Sequence, residues 1–188
     1  MSRWLCLLAL LCATAQAAPN APADDEMATF MADKGLLSRL DDVRHSVTDR
    51  ASDLVVTAMG FLGVPYRRGG NSVETGFDCS GFVRAMFEQT VGLILPRRAN
   101  EQAAATELID RKDLQPGDLV FFNTMKRAFS HVGIYVGNGK FIHSPKPGAE
   151  VRVEDMGGAY WARRFDGARR VPVTTNDLSA AASAPAQR

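Results

Sequence analysis

Cys79 in Asp78-Cys79-Ser80-Gly81-Phe82-Val83, His131 in Ser130-His131-Val132-Gly133 and His143 in Phe141-Ile142-His143-Ser144 have the residue types needed for covalent catalysis. A thiol attacks only as thiolate, and a helix N-terminus or a nearby imidazolium lowers its pKa. Cys79 opens an amphipathic helix and has the first of these by position. His131, at the edge of a strand, can supply the second by taking the thiol proton and returning it to a leaving amine. His143 would orient His131 by binding its far ring nitrogen, the part a third polar residue plays in nucleophile–base–orienter triads. Amide groups at the start of the Cys79 helix would receive a developing oxyanion, each such donor being worth ~10²–10³ in rate. Tyr66 can add a hydroxyl donor. The chemistry expected is acyl transfer through a thioester.

Blander readings attach to the same residues. A solitary cysteine is often an inert small hydrophobe, and a strand-edge histidine often bonds only backbone. Tyr66 can be a packed turn aromatic, Asp78 a plain helix N-cap, and Ser80 a group that satisfies backbone. The pairs Arg67-Arg68 and Arg97-Arg98 read as solvated charges, and Gly69-Gly70 as a turn. Two His and one Cys could also hold a catalytic zinc with an open position. No His-Glu-x-x-His helix brings paired imidazoles and a base together, so no metal and no cofactor are expected.

The elements that must position these groups change character along the chain. Ser52 is expected to cap a helix through Leu54, Val55, Ala58, Met59 and Leu62, ended by Gly63 and Pro65. After a Gly-rich turn, Phe82, Val83, Met86, Phe87 and Val91 recur at the helical period, so the Cys79 helix buries one face. A short helical segment is expected from Leu95-Pro96-Arg97-Arg98 to near Leu108. Strands follow at Leu119–Phe122, His131–Val136, Lys140–Ser144 and Val151–Glu154. Helices first and strands second predict an α+β domain, its N-terminal helices packed on a central antiparallel sheet. In the central hairpin, a three-residue loop Gly137-Asn138-Gly139 would pair Val136 with Lys140 and His143 with Gly133. His131 would then be a diagonal neighbour of His143 on one face.

Met1 to Ala17 carries Arg3, an apolar core and Ala15-Gln16-Ala17, the pattern of a cleaved secretion signal rather than a membrane anchor. Residues 18–50 read as an Ala/Pro linker followed by an accessory helical segment, 51–172 as the main domain and 173–188 as a tail too polar to order itself. Loss of the signal would remove Cys6 and Cys12 and leave Cys79 alone in an oxidising compartment, where structural thiols come in pairs. Removing Arg3 takes Lys+Arg from 22 to 21, against 21 Asp+Glu, so the remaining chain is near neutral and lacks the basic excess that nucleic-acid binding needs. A periplasmic or extracellular monomer without a membrane span is expected.

Five fragments in order, Asp-Cys-Ser-Gly-Phe-Val, Leu-Pro-Arg, Pro-Gly-Asp-Leu-Val-Phe-Phe, His-Val-Gly-Ile-Tyr-Val-Gly and Phe-Ile-His-Ser, resemble the NlpC-type family of bacterial cell-wall cysteine peptidases over about residues 54–171. The resemblance implies a papain-like α+β fold and hydrolysis of amide bonds in peptidoglycan stem peptides or crosslinks. It implies Cys79 as nucleophile, His131 as base and His143 as third member. Tyr66, Asp78 and Ser80 match family positions near the substrate, the last two sometimes binding a free peptide amine. The role of Arg97 in the Leu-Pro-Arg element stays open. Other outcomes for such a domain are a catalytically silent wall-binding module and a related thiol amidase or acyltransferase.

Overall fold

The computed structural model describes residues 35–172; the expected signal, the Ala/Pro linker and the tail lie outside the described residues, apart from the stretch after Gly35. The chain divides into two units, Met1–Leu40 and Asp41–Arg188, and the residues discussed below belong to the second. Helix α1, Leu36–Met59, runs unbroken through the stretch expected to separate an accessory segment from the main domain. No Gly or Pro interrupts it, so Ser52 is not a cap. Its Oγ donates to the Thr48 carbonyl at 3.0 Å, the back-bond that a mid-helix serine makes. Among its described side chains, Leu54 and Ala58, one turn apart, are buried against the core.

A small hairpin, β1 Asn71–Ser72 and β2 Gly76–Phe77, precedes α2, Cys79–Val91. Asp78 caps α2 by accepting from the Gly81 amide at 2.8 Å, and Gly92 ends it in the left-handed region at φ 72°. Phe82, Val83, Met86, Phe87 and Val91 are all buried, as the helical period predicts. Helix α3, Ala99–Ala104, is shorter than expected, because Glu107–Ile109 forms strand β3. There follow β4 Leu119–Phe122, β5 His131–Gly137, β6 Lys140–His143, β7 Arg152–Asp155, the short helix α4 Ala159–Ala162 and β8 Phe165–Arg170.

These strands make one antiparallel sheet in the order β3-β8-β4-β5-β6-β7. The two strands not expected from sequence, β3 and β8, pair with each other, and only Ala168 in β8 is buried. Strand β4 is buried along its whole length because both sheet faces are covered. Leu119 and Phe121 face the helices with Val132, Ile134 and Ile142, while Val120 and Phe122 join Phe141, Met156 and Trp161 on the other face.

The β5–β6 register is the expected one, Ile134 opposite Ile142 and Tyr135 opposite Phe141, but the loop differs. Gly137 pairs with Lys140 around a two-residue Asn138-Gly139 turn, and Val136 is left in a bulge. Both turn residues have positive φ, 52° and 71°, which suits the mirror-image turn of tight hairpins. The bulge absorbs one residue, so the register of a longer loop is reached with a shorter one.

Candidate active site

Cys79 is the first residue of α2, and three tethers fix where that helix begins. The Ser144 hydroxyl donates to the Phe77 carbonyl at 2.7 Å, tying the segment before Cys79 to the residue after His143. The buried Gln102 side chain donates to the Ser80 and Pro96 carbonyls at 3.0 and 2.9 Å. The Gly-rich turn closes around Asp78, whose amide donates to the Gly70 carbonyl at 3.1 Å and whose carboxylate accepts from the Gly69 amide at 3.0 Å. Gly81 is required by this closure: a Cβ there would lie 2.1 Å from the Gly70 oxygen.

On the sheet side, His131 opens β5 and His143 closes β6, on the same face. Gly133 sits between them in register, and a Cβ at that position would meet Phe141 Cδ2 at 2.7 Å and His143 Cβ at 3.1 Å. Its bare backbone lets the rings meet: His131 Nε2 lies 2.6 Å from His143 Nδ1. That bond leaves His131 Nδ1 for the cleft. Those paired nitrogens are also committed to each other rather than to a shared metal, and among the described residues no group of three or more His, Cys, Asp or Glu converges on one point. Trp161 stacks on His131 at 5.4 Å and 27°, and meets His143 edge-on at 5.1 Å. Both imidazoles are thereby shut off from water, at 3% and 0% exposure.

Cys79, Tyr66 and His131 line one cleft of about 540 Å³, with Trp161 and Tyr160 along one wall and Lys146 and Arg152 supplying positive charge. Asp78 and Ser80 are absent from that lining. The Asp78 carboxylate is taken up by its cap bond and by Arg97, which donates Nη1 to Oδ1 at 2.9 Å and Nη2 to Oδ2 at 2.7 Å. Arg97 Nη1 also donates to the Ser80 hydroxyl at 3.1 Å. Arg97 is therefore a fork clamped on the turn around Cys79, in place of the solvated charge its sequence context predicts. No periodicity signals this, because the partners lie 19 positions apart.

Electrostatics at rest differ from the thiolate expected from sequence. Burial pushes the Cys79 thiol up to about 11, helped by the Asp78 carboxylate, and outweighs the thiolate-favouring amides of Val132, Ser80 and Cys79 itself. Burial, then the neighbouring His143, pushes His131 down to about 3. His143 is likewise lowered by burial, against the pull of Glu154. The Tyr66 phenol is raised, first by burial and then by Cys79 and Asp78, so at neutral pH it is a hydroxyl donor. Ionising either partner alone in so dry a place is unfavourable. A proton shift from sulfur to imidazole creates both charges at once within one cleft, where each offsets the other.

Glu154 on β7, which sequence reading leaves without a role, completes this row of groups. Its Oε2 is 3.2 Å from His143 Nε2 and accepts from Trp161 Nε1, while Oε1 bonds Arg152 Nη2 at 2.6 Å. Strand periodicity alone puts Glu154 and Arg152 on one face. Which histidine they meet depends on the β6–β7 register, set by the irregular loop between them.

The NlpC/P60 family model matches residues 63–170, more than half of the chain. The chain is 43% identical over 136 residues to murein DD-endopeptidase MepH of Escherichia coli, covering 70% of this chain and 50% of that protein. It is 39% identical over 130 residues to murein DD-endopeptidase MepS/murein LD-carboxypeptidase of the same species, covering 69% of this chain and 64% of that one. Among solved structures, an NlpC/P60 family protein from Bacillus cereus superposes with a TM-score of 0.60 at 37% identity over 65% of this chain and 40% of that chain. The NlpC/p60 domain of the peptidoglycan hydrolase SagA superposes with a TM-score of 0.57 at 32% identity, over 64% of this chain and 98% of the domain. The chain thus spans about half to two-thirds the length of these murein endopeptidases. The chain, whose residues 63–170 match one family model and whose Cys79 shares a cleft with one of a pair of bonded histidines, belongs to the NlpC/P60 family.

Proposed function

We propose that the protein is an exported cysteine endopeptidase that hydrolyses amide bonds in peptidoglycan stem peptides or crosslinks. The observation that carries this reading is the shared cleft of Cys79 and His131, with the far nitrogen of His131 already bonded to His143. In this reading Cys79 Sγ attacks the scissile carbonyl while His131 Nδ1 takes the thiol proton. The carbonyl oxygen is held by the Cys79 amide, unpaired within the first turn of α2, and by the Tyr66 hydroxyl. His131 then gives its proton to the leaving amine, which departs and leaves a thioester on Cys79. Water, deprotonated by the same nitrogen, hydrolyses the thioester and restores the thiol.

With Arg152 paired to Glu154, Lys146 leaves the cleft with a net positive charge that suits a substrate carboxylate. The cell-wall hydrolases among the relatives and the leader-like residues 1–17 support an exported, periplasmic or extracellular location. Asp78 and Ser80, engaged by Arg97, act in this scheme by holding the nucleophile turn, and Tyr66 is the substrate contact.

Mass spectrometry of products from defined crosslinked and uncrosslinked muropeptides tests the proposal. Wild type releases fragments by amide cleavage, and Cys79→Ala releases none while its circular dichroism is unchanged. Cleavage by Cys79→Ala at the wild-type rate would overturn it.

A further inference from the structure

The row of polar groups does not stop at His143, and its last member decides the protonation pattern of the others. His143 Nε2 is fully buried and has no aligned hydrogen-bond partner; the group it faces is the Glu154 carboxylate, 3.2 Å away. Glu154 itself is held in place. The Trp161 indole on α4 donates to the same oxygen, Oε2, and Arg152 on its own strand donates to Oε1 at 2.6 Å. Lys146 is the other cation lining the cleft, and Tyr160 on α4 and Tyr66 are its phenols.

An ionised carboxylate can only accept hydrogen bonds. Facing it, His143 carries its proton on Nε2, so its Nδ1 is a lone pair. Across the 2.6 Å bond, that lone pair requires His131 to carry its proton on Nε2. His131 Nδ1 is then left unprotonated on the cleft side, the state a base needs. Without the carboxylate, the same two rings could equally bond with both protons shifted the other way, and His131 would present an N–H to the thiol. We infer that Glu154 is a positioning residue that sets the tautomers of both histidines, extending the Cys79–His131–His143 row to a fourth member. The inference rests on the reading of Cys79 as nucleophile and His131 as its base.

Glutamine at position 154 is the informative substitution, because its amide can turn an N–H toward His143 and permit the unproductive tautomer. Glu154→Gln should lower kcat on a muropeptide substrate roughly 10- to 10⁴-fold with KM little changed: the lower end is the loss seen when a histidine's outer hydrogen-bond partner is removed, the upper the loss when a triad carboxylate becomes an amide and the tautomer inverts. Glu154→Asp should recover part of that loss. Alkylation of Cys79 by iodoacetamide should be slowed about tenfold at pH 7 in Glu154→Gln and converge with wild type near pH 11, where bulk base makes the thiolate without His131. A wild-type kcat, or an alkylation deficit of the same size at every pH, would overturn the inference. Nitrogen-15 imidazole NMR of the unmutated protein gives an answer that does not depend on a variant folding: both rings should carry the proton on Nε2, and a proton on His143 Nδ1 would overturn it. Hydrolysis retained by Cys79→Ala would instead refute the nucleophile reading, and the NMR tautomers would still decide whether Glu154 sets them.

Discussion

Lowering the pH should destabilise this fold through His131 in a way that can be isolated. The ring is 3% exposed, and burial with His143 beside it holds its pKa at about 3 in the folded protein instead of 6.5. The folded state prefers the neutral ring, so the unfolded chain takes up the proton first as pH falls. The stabilisation is therefore complete above 6.5 and is lost progressively toward pH 3. At 1.36 kcal/mol per pKa unit the whole window is worth roughly 5 kcal/mol, of which about 2 kcal/mol disappears between pH 7 and pH 5. Cys79, raised to about 11, acts with the opposite sign: its contribution is full below pH 9, so it does not intrude. Glu154, lowered to about 2 chiefly by its close contact with His143, loses its share between 4.5 and 2, mostly below the experiment. Urea unfolding at pH 7, 6 and 5 of wild type and His131→Asn separates the ring from the other histidines, which both proteins retain. With an m-value of ~1–3 kcal/mol/M, the wild-type midpoint should fall by about 1 M more than that of the variant. Parallel pH dependences, agreeing within about 0.5 kcal/mol, would mean that His131 is not held neutral by burial, and the account of the site at rest would fail.

The turn around Cys79 offers two further tests. Gly81→Ala pushes a methyl group to within 2.1 Å of the Gly70 oxygen and 3.0 Å of Asp78 Oδ1, so it should cost about 1–3 kcal/mol or more in urea melts, and a change below ~0.5 kcal/mol would show that the turn can move aside. Arg97→Met removes the fork from Asp78; with the pair 34% and 16% exposed, the loss should fall between surface and buried ion pairs, about 1–3 kcal/mol. A double-mutant cycle with Asp78→Asn should return most of that loss as coupling, and additive effects would contradict the clamp.

What could be read along the chain was whatever has a local period or a local motif. The buried face from Phe82 to Val91 follows from 3.6-residue spacing, and Asp78 as cap from the residue types at a helix start. The shared face of His131 and His143 follows from period-2 geometry once the hairpin register is chosen. That register was legible although the loop was not, because Val136 bulges to compensate for a shorter turn. The tail strand β8 escaped notice for the converse reason: Phe165–Arg170 is rich in arginine and has one buried side chain, so its strand state comes from pairing with β3 and β4 rather than from its own pattern. Likewise Ser52 has the type of a cap but lies mid-helix, since nothing before it breaks α1.

The chain by itself determined which atoms are available for chemistry: a thiol that begins a helix and imidazoles on a hairpin. Only the tertiary structure decided their charge states and their company. A pKa depends on how much water is excluded and on which charges come within a few ångströms, and neither is a property of sequence neighbours. Burial keeps the thiol and the imidazole neutral at rest. Packing across 19 positions brings Arg97 to Asp78, and the β6–β7 register brings Glu154 to His143, since hydrogen bonds between distant residues exist only where the packed core lines up their backbones.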